Sequence, residues 1–174
     1  MDDWGYVSRL KIAGLMHDVG KPETVKVVKG VIHFYEHEKV GVAIAEKMLR
    51  ELKFSNKTIK YVAFMVRWHM RIGWAIEEYK KGNFKPLARL AAKAIMTGYG
   101  MLLRDLVLLY QADSNTQVSS SFLMLIDELA SFRKPKFPSS MTEKIPPRER
   151  ENYLYGRLVE KILAFLRGSG AVRI

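Results

Sequence analysis

From Glu36 onward, apolar side chains recur at the spacing of a helix face. Val40, Ile44, Met48 and Leu52 follow one another every four residues with Lys and Glu between them, which predicts a helix over 37–53. Ser55 is suited to cap another at 56–70, whose face is Ile59, Ala63, Val66 and Met70. A further helical stretch at 72–81 is broken by Gly82-Asn83, and Pro86 fits the first turn of a helix running to Thr97. Met101–Asp113 and Ser119–Arg133 read as two more helices, the first so apolar that it should be buried. Upstream, 7–18 reads as a helix ending in His17-Asp18. Val25–Phe34 is β-branched around Lys29-Gly30, which predicts a short hairpin or extended loop. Four prolines between 135 and 147 exclude regular structure, and a last helix over 148–167 ends at Gly168-Ser169-Gly170. The expected fold is all-α, with a domain over 1–134, a proline-rich linker over 135–147 and a C-terminal helix over 148–174 packed on the same domain.

Composition narrows this picture without redirecting it. The chain has 174 residues, 48% hydrophobic and 27% charged, an ordinary globular balance that can bury a real core. It has no cysteine, which excludes disulfides and thiolate-bound metals and fits a reducing, cytoplasmic setting. No stretch approaches the roughly 18 uncharged apolar residues of a membrane span, and the start lacks a basic-then-apolar signal sequence. The formal net charge of +11 is unevenly placed. Lys47–Lys93 holds twelve Lys or Arg against three Glu, whereas Ala94–Phe132 holds one Arg against four acids. A surface like the first attracts a polyanion such as RNA in a salt-dependent way. Solvated helix faces in a basic protein would give the same count.

The densest chemistry lies at His17-Asp18, followed by Val19-Gly20-Lys21-Pro22. The run from Leu10 to Met16 is apolar enough for a buried helix, so an imidazole and a carboxylate at its end are costly unless paired. A divalent cation pairs both, since His nitrogen and Asp oxygen ligate zinc, manganese, iron and nickel. Gly20 lets the chain turn after the pair, Pro22 stops the helix, and Lys21 sets a positive charge beside it. His37 opens the next helix within Glu-His-Glu, and His69 stands three residues after Val66 and so points inward. Asp113 closes an apolar helix that otherwise has little use for an acid beyond capping. These residues nominate His17, Asp18, His37, His69 and Asp113 as metal ligands around one small volume. The competing readings are a hydrogen-bonded His-Asp pair, an exposed helix-start histidine and a core histidine.

The order His-Asp, His-Glu, His, Ala-Asp resembles that of the HD superfamily of metal-dependent phosphohydrolases. The wording of Leu15–Pro22, Ile32–Gly41, Leu52–Asn56 and Val66–Met70 is similar to the HD domain that follows the nucleotidyltransferase head in bacterial tRNA nucleotidyltransferases and poly(A) polymerases. The likeness is strongest over 9–70 and weak beyond 115. It implies an HD-type helical bundle, one or two divalent ions (Mn, Ni, Co, Fe, Zn or Mg), and phosphatase or phosphodiesterase chemistry near nucleotide, RNA or tRNA. In that scheme Asp18 bridges two cations or holds one. His17 and Asp113 complete one position, His37 and His69 the other.

Asp18 and Lys21 are the expected catalytic residues, Lys21 also contacting phosphate. His33 is expected to face substrate or support the ligands, and Arg67 and Arg71, which flank His69, to contact phosphate. An ordinary hairpin residue, for His33, and surface charge, for the arginines, are the competing readings. The resemblance also supplies a histidine upstream of the His-Asp pair, and none of the sixteen residues here is His. The His17–Asp113 position is therefore expected to lack one nitrogen, either because the chain begins after a lost head and first helix or because it is a degenerate relative. No Gly-Ser followed by paired acids on a strand is present, so nucleotide addition is left to a separate nucleotidyltransferase partner. The expected function is a phosphohydrolase acting on nucleotides or RNA ends. The alternative is a non-catalytic RNA-binding or scaffolding module.

Overall fold

The computed structural model describes residues 6–99, 101–141 and 144–169. Among them are eight α-helices and one antiparallel hairpin: α1 (Tyr6–Met16), α2 (Lys21–Thr24), β1 (Val25–Val28), β2 (Val31–Phe34), α3 (His37–Glu51), α4 (Asn56–Lys80), α5 (Lys85–Met96), α6 (Leu102–Ser114), α7 (Ser120–Ser131) and α8 (Arg150–Gly168). The predicted all-α bundle with a short hairpin is the fold observed. The hairpin turns at Lys29 and Gly30, both at positive φ (51° and 79°), the mirror-image turn that suits twisted strands. Ser139–Met141 and Pro147–Glu149 form short 3-10 turns between α7 and α8. Gly170 lies outside the described residues. Among those described, no helix is long and apolar enough to cross a membrane.

Helix α4 is the axis of the bundle. Its 25 residues extend about 37 Å at 1.5 Å per residue, and α1, α3, α5 and α6 pack against it. The Ser55 hydroxyl caps it by accepting the Thr58 N–H at 3.3 Å. The pattern predicts separate helices at 56–70 and 72–81, but the structure runs them together. No proline interrupts the stretch, and Gly73 serves contact rather than a bend. A Cβ there would lie 2.7 Å from the Tyr110 ring of α6. Met70, assigned to the inner face, is 55% exposed. With His69 buried, the next residue is turned about 100° away.

The inner face of α3 is also displaced by one residue from the predicted stripe. His37, Gly41, Ala45 and Leu49 are buried, whereas Leu52 is 63% exposed. The reason is backbone approach. A Cβ at Gly41 would stand 3.1 Å from the Val66 side chain of α4, so the stripe of small residues lets the two helices close on each other. Around them, Met65, Ile72, Leu87, Leu106 and Ile126 are fully buried, each contributing about 1.5–3 kcal/mol of transfer free energy. On the other side, α8 lies along α5 and buries Leu158, Ile162 and Leu166.

Helix α1 stops at Met16, two residues earlier than predicted, so His17 and Asp18 sit in the turn that follows. The Val19 N–H donates to the Met16 carbonyl and the Lys21 N–H to that of Asp18. Pro22 does not end a helix here but sits in the first turn of α2. Gly20 has an ordinary φ of −84°, and its function is proximity. A Cβ there would be 2.2 Å from the His37 carbonyl and 2.6 Å from the Gly41 nitrogen. This contact presses the turn onto the first part of α3 and sets Asp18 beside His37.

Candidate metal centre

Three histidines meet here, each oriented by its own backbone. The Nδ1–H of His17 donates to the Gly14 carbonyl (2.7 Å), that of His37 to Phe34 (2.8 Å) and that of His69 to Val66 (2.8 Å). In each case the acceptor lies three residues earlier in the chain. A neutral imidazole that donates through Nδ1 carries a lone pair on Nε2. The Nε2 atoms of His37 and His69 lie 3.3 Å apart, and in these tautomers neither can donate to the other. Two facing lone pairs repel unless a proton or a cation lies between them.

Asp18 links these rings. Its Oδ1 is 3.3 Å from His37 Nε2 and 3.7 Å from His69 Nε2, while Oδ2 is 3.3 Å from His17 Nε2. On the far side of His17, Asp113 Oδ1 stands 3.3 Å from the same Nε2. Two groups result, Asp18–His37–His69 and His17–Asp18–Asp113, each with ligand atoms within 4.8 Å of one another and sharing Asp18. The first is closed, with His37 and His69 side chains 7% and 4% exposed; the second opens to solvent through Asp113, at 48%.

The electrostatics favour ligand-ready forms. Burial pushes the Asp18 carboxyl up, but the Lys21 hydrogen bond and the charges of His17, Lys21 and His69 outweigh it and hold it below the usual carboxylate range. Burial pushes the His69 imidazole down, and His17 and His37 push the same way. The Val66 carbonyl and Asp18 oppose the shift without reversing it. The shift is towards the neutral imidazole, the form a metal ligand needs.

Lys21 Nζ lies 2.5 Å from Asp18 Oδ2 and 5.6 Å from the centre of the Phe34 ring, so it ties the turn to the hairpin. His33 is not brought among the ligands. It pairs across the hairpin with Lys26 and stacks on Tyr35, the rings 5.1 Å apart and 10° from parallel. Arg67 is held by Glu38 of α3 at 3.0 Å, and the exposed Arg71 lies against Trp74. Neither belongs to the ligand groups. Sequence reasoning also passed over the fully buried Asp105, which accepts from the Tyr61 hydroxyl at 2.8 Å. Its signal was an acid inside a strongly apolar helix.

The family model of the HD domain matches residues 2–114, a span that contains every ligand of both groups. The chain belongs to the HD domain family. Over 105 residues it is also 34% identical to a CC-adding tRNA nucleotidyltransferase of Thermus thermophilus, a match covering 59% of this chain and 21% of that protein. The chain thus spans about a fifth of that relative's length. No solved structure matches it significantly. HD domains bind divalent metals, and this one has His and Asp groups that could hold them. The fit is chemical as well as spatial: three acceptor nitrogens and a shared carboxylate form the hard-to-intermediate donor set of divalent cations.

Proposed function

We propose that this HD domain is a metal-dependent phosphohydrolase acting on nucleotides or RNA ends. The observation that carries the reading is the convergence of three backbone-oriented imidazoles on one carboxylate, with no donor available between His37 and His69. Asp18, His37 and His69 would hold one ion, and His17, Asp18 and Asp113 a second. The nitrogen-rich first group suits Mn, Fe, Co, Ni or Zn better than Mg. A bound ion polarises a phosphoryl oxygen and lowers the pKa of water, supplying the attacking group at neutral pH.

The chain's own residues organise the rest. The carbonyls of Gly14, Phe34 and Val66 hold the rings at fixed angles, as outer-sphere partners of metal-bound histidines do. The buried His37–His69 side keeps bulk water out, and the exposed Asp113 side leaves the approach open for substrate. Lys21 brings a fixed cation to that mouth, where it stabilises charge accumulating on the phosphoryl oxygens. RNA ends are the favoured substrate because the related chain is a CC-adding tRNA nucleotidyltransferase. A separate nucleotidyltransferase is the corresponding partner.

The Lys21–Asp18 pair favours a second reading. An ammonium seated on the shared carboxylate already neutralises it, which suits an RNA-binding or scaffolding module without catalysis. The two readings are separated by assaying 2′,3′-cyclic nucleotides, nucleoside monophosphates and dNTPs with added Mn, Ni or Co. Turnover that disappears in Asp18→Ala supports the hydrolase. No turnover above that background in any combination leaves the module.

A further inference from the structure

Three adjoining cavities of 340, 490 and 480 Å³ lie along α4. Trp68 borders all three. Lys93 and Tyr155 are shared by the first two, Phe64 and Thr97 by the last two, so the cavities adjoin in a groove along α4, the first two against α5 and α8 and the third against α3. At about 100° per residue, Arg71 and Trp74 point roughly 140–160° away from His69 on the same helix. The groove therefore lies across α4 from the metal centre.

Its lining is unusual for a basic surface. The first cavity carries Arg71, Lys85, Arg89 and Lys93 with no acid, and among these cations stand Trp68, Trp74 and Tyr155. Lys93 Nζ lies 5.0 Å from the centre of the Trp68 ring and 5.1 Å from that of Tyr155. The Arg71 guanidinium is 5.9 Å from the Trp74 ring, which is 52% exposed. Glu151 and Glu46 line the other two cavities. Each volume reaches the range of small-ligand sites, about 300–1,000 Å³, and their adjacency suits a polymer rather than a single small molecule.

We infer that this groove binds single-stranded nucleic acid, with a base stacked on the exposed Trp74 and phosphates against Arg71, Lys85, Arg89 and Lys93. An indole face set among cations is what a strand with unpaired bases requires. A duplex hides its base faces, and an acidic peptide uses the cations while leaving the ring bare. The inference stands independently of hydrolysis at the metal centre. Where both hold, the groove grips the body of a strand whose end reacts on the other side of α4.

The test is fluorescence anisotropy of labelled oligo(rU) and oligo(dT), run on the full chain and on Asp18→Ala, so that strand binding and hydrolysis are read separately. Binding of either oligonucleotide that weakens as KCl rises is expected. Trp74→Ala should weaken it roughly five- to a hundredfold, the range for losing one stacked base, and Trp74→Phe should recover most of the loss. Arg89→Ala should weaken binding and lower the salt slope by about one. Trp74 and Arg89 side chains are both solvent-exposed, so the variants should melt like the parent. The inference is overturned by any of three results. These are no binding at low salt, a Lys26→Ala loss equal to that of Arg89→Ala, or duplex RNA or polyglutamate binding as tightly as the single strand.

Discussion

On one side of α4, His69 meets residues drawn from α3, α6 and the turn after α1. On the other, Trp68, Arg71 and Trp74 of α4 itself meet Lys85, Arg89 and Lys93 from the next helix and Tyr155 from α8. On the metal side His37 and His69 are buried, and the nitrogen and oxygen atoms stand 3.3–3.7 Å apart across 96 residues of sequence. The groove side is open and assembled mostly within one basic stretch. A metal site needs each donor fixed in direction, so loss of one ligand or one backbone contact is felt at once. A groove for a charged strand adds many weak contacts and loses them one at a time.

That contrast can be broken most severely at Asp18. Because it belongs to both ligand groups, Asp18→Ala should lower metal affinity by more than the roughly 100-fold upper limit for outer-sphere partners. Metal analysis of dialysed protein should show the ion gone, while oligonucleotide affinity stays within twofold of the parent. An equal loss of strand binding would mean that the two sides are one site.

Gly20→Ala should be the next largest. Its Cβ would meet the His37 carbonyl at 2.2 Å, and the clash is with backbone. A loss of about 1–3 kcal/mol by urea unfolding is expected for such overpacking, together with weakened metal retention. A variant that is destabilised yet loads metal normally would show that the turn and α3 move as a unit.

Single ligands sharpen the comparison within the centre. His69→Gln should remove one ion and leave the other, so calorimetric titration with Mn or Ni should report one fewer site. Asp113→Asn, at the exposed edge, should cost less, about tenfold, no more than the loss of a weak outer-sphere partner. Equal losses from both would contradict the closed and open division of the two groups.

The smallest effect concerns pH. His69 has a native pKa below its unfolded value of about 6.5, so the unfolded chain takes up its proton first as pH falls. Stability of the metal-free protein should be full above about pH 6.5 and decline as pH drops towards the lower native value. Thermal melting across that window checks it, and His69→Gln should flatten the curve.

Much of the fold was legible from spacing. The helices at 37–53 and 56–70, the Lys29-Gly30 hairpin and the capping by Ser55 follow from local rules that hold wherever the residues end up. The inner faces of α3 and the second half of α4 were not legible. Hydropathy favours Val40, Ile44, Met48 and Leu52, whereas close packing on α4 selects Gly41 and Ala45, which no hydrophobic count rewards. The groove was visible only as an excess of charge between Lys47 and Lys93. That Trp68 and Trp74 share a wall with those cations, and that Tyr155, sixty residues further on, folds back over α5 to join them, required the tertiary structure.

The amino-acid order by itself determined an all-helical chain with a short hairpin, a basic middle and five candidate metal ligands spread over 96 residues. Tertiary structure alone decided that the Asp18–His37–His69 group is closed and the His17–Asp18–Asp113 group open, and that Arg67 pairs with Glu38. The physical reason is range. Helix propensity and turn chemistry act over a few residues, whereas ligand geometry depends on how near two backbones can come, here on Gly20 lying against the first turns of α3.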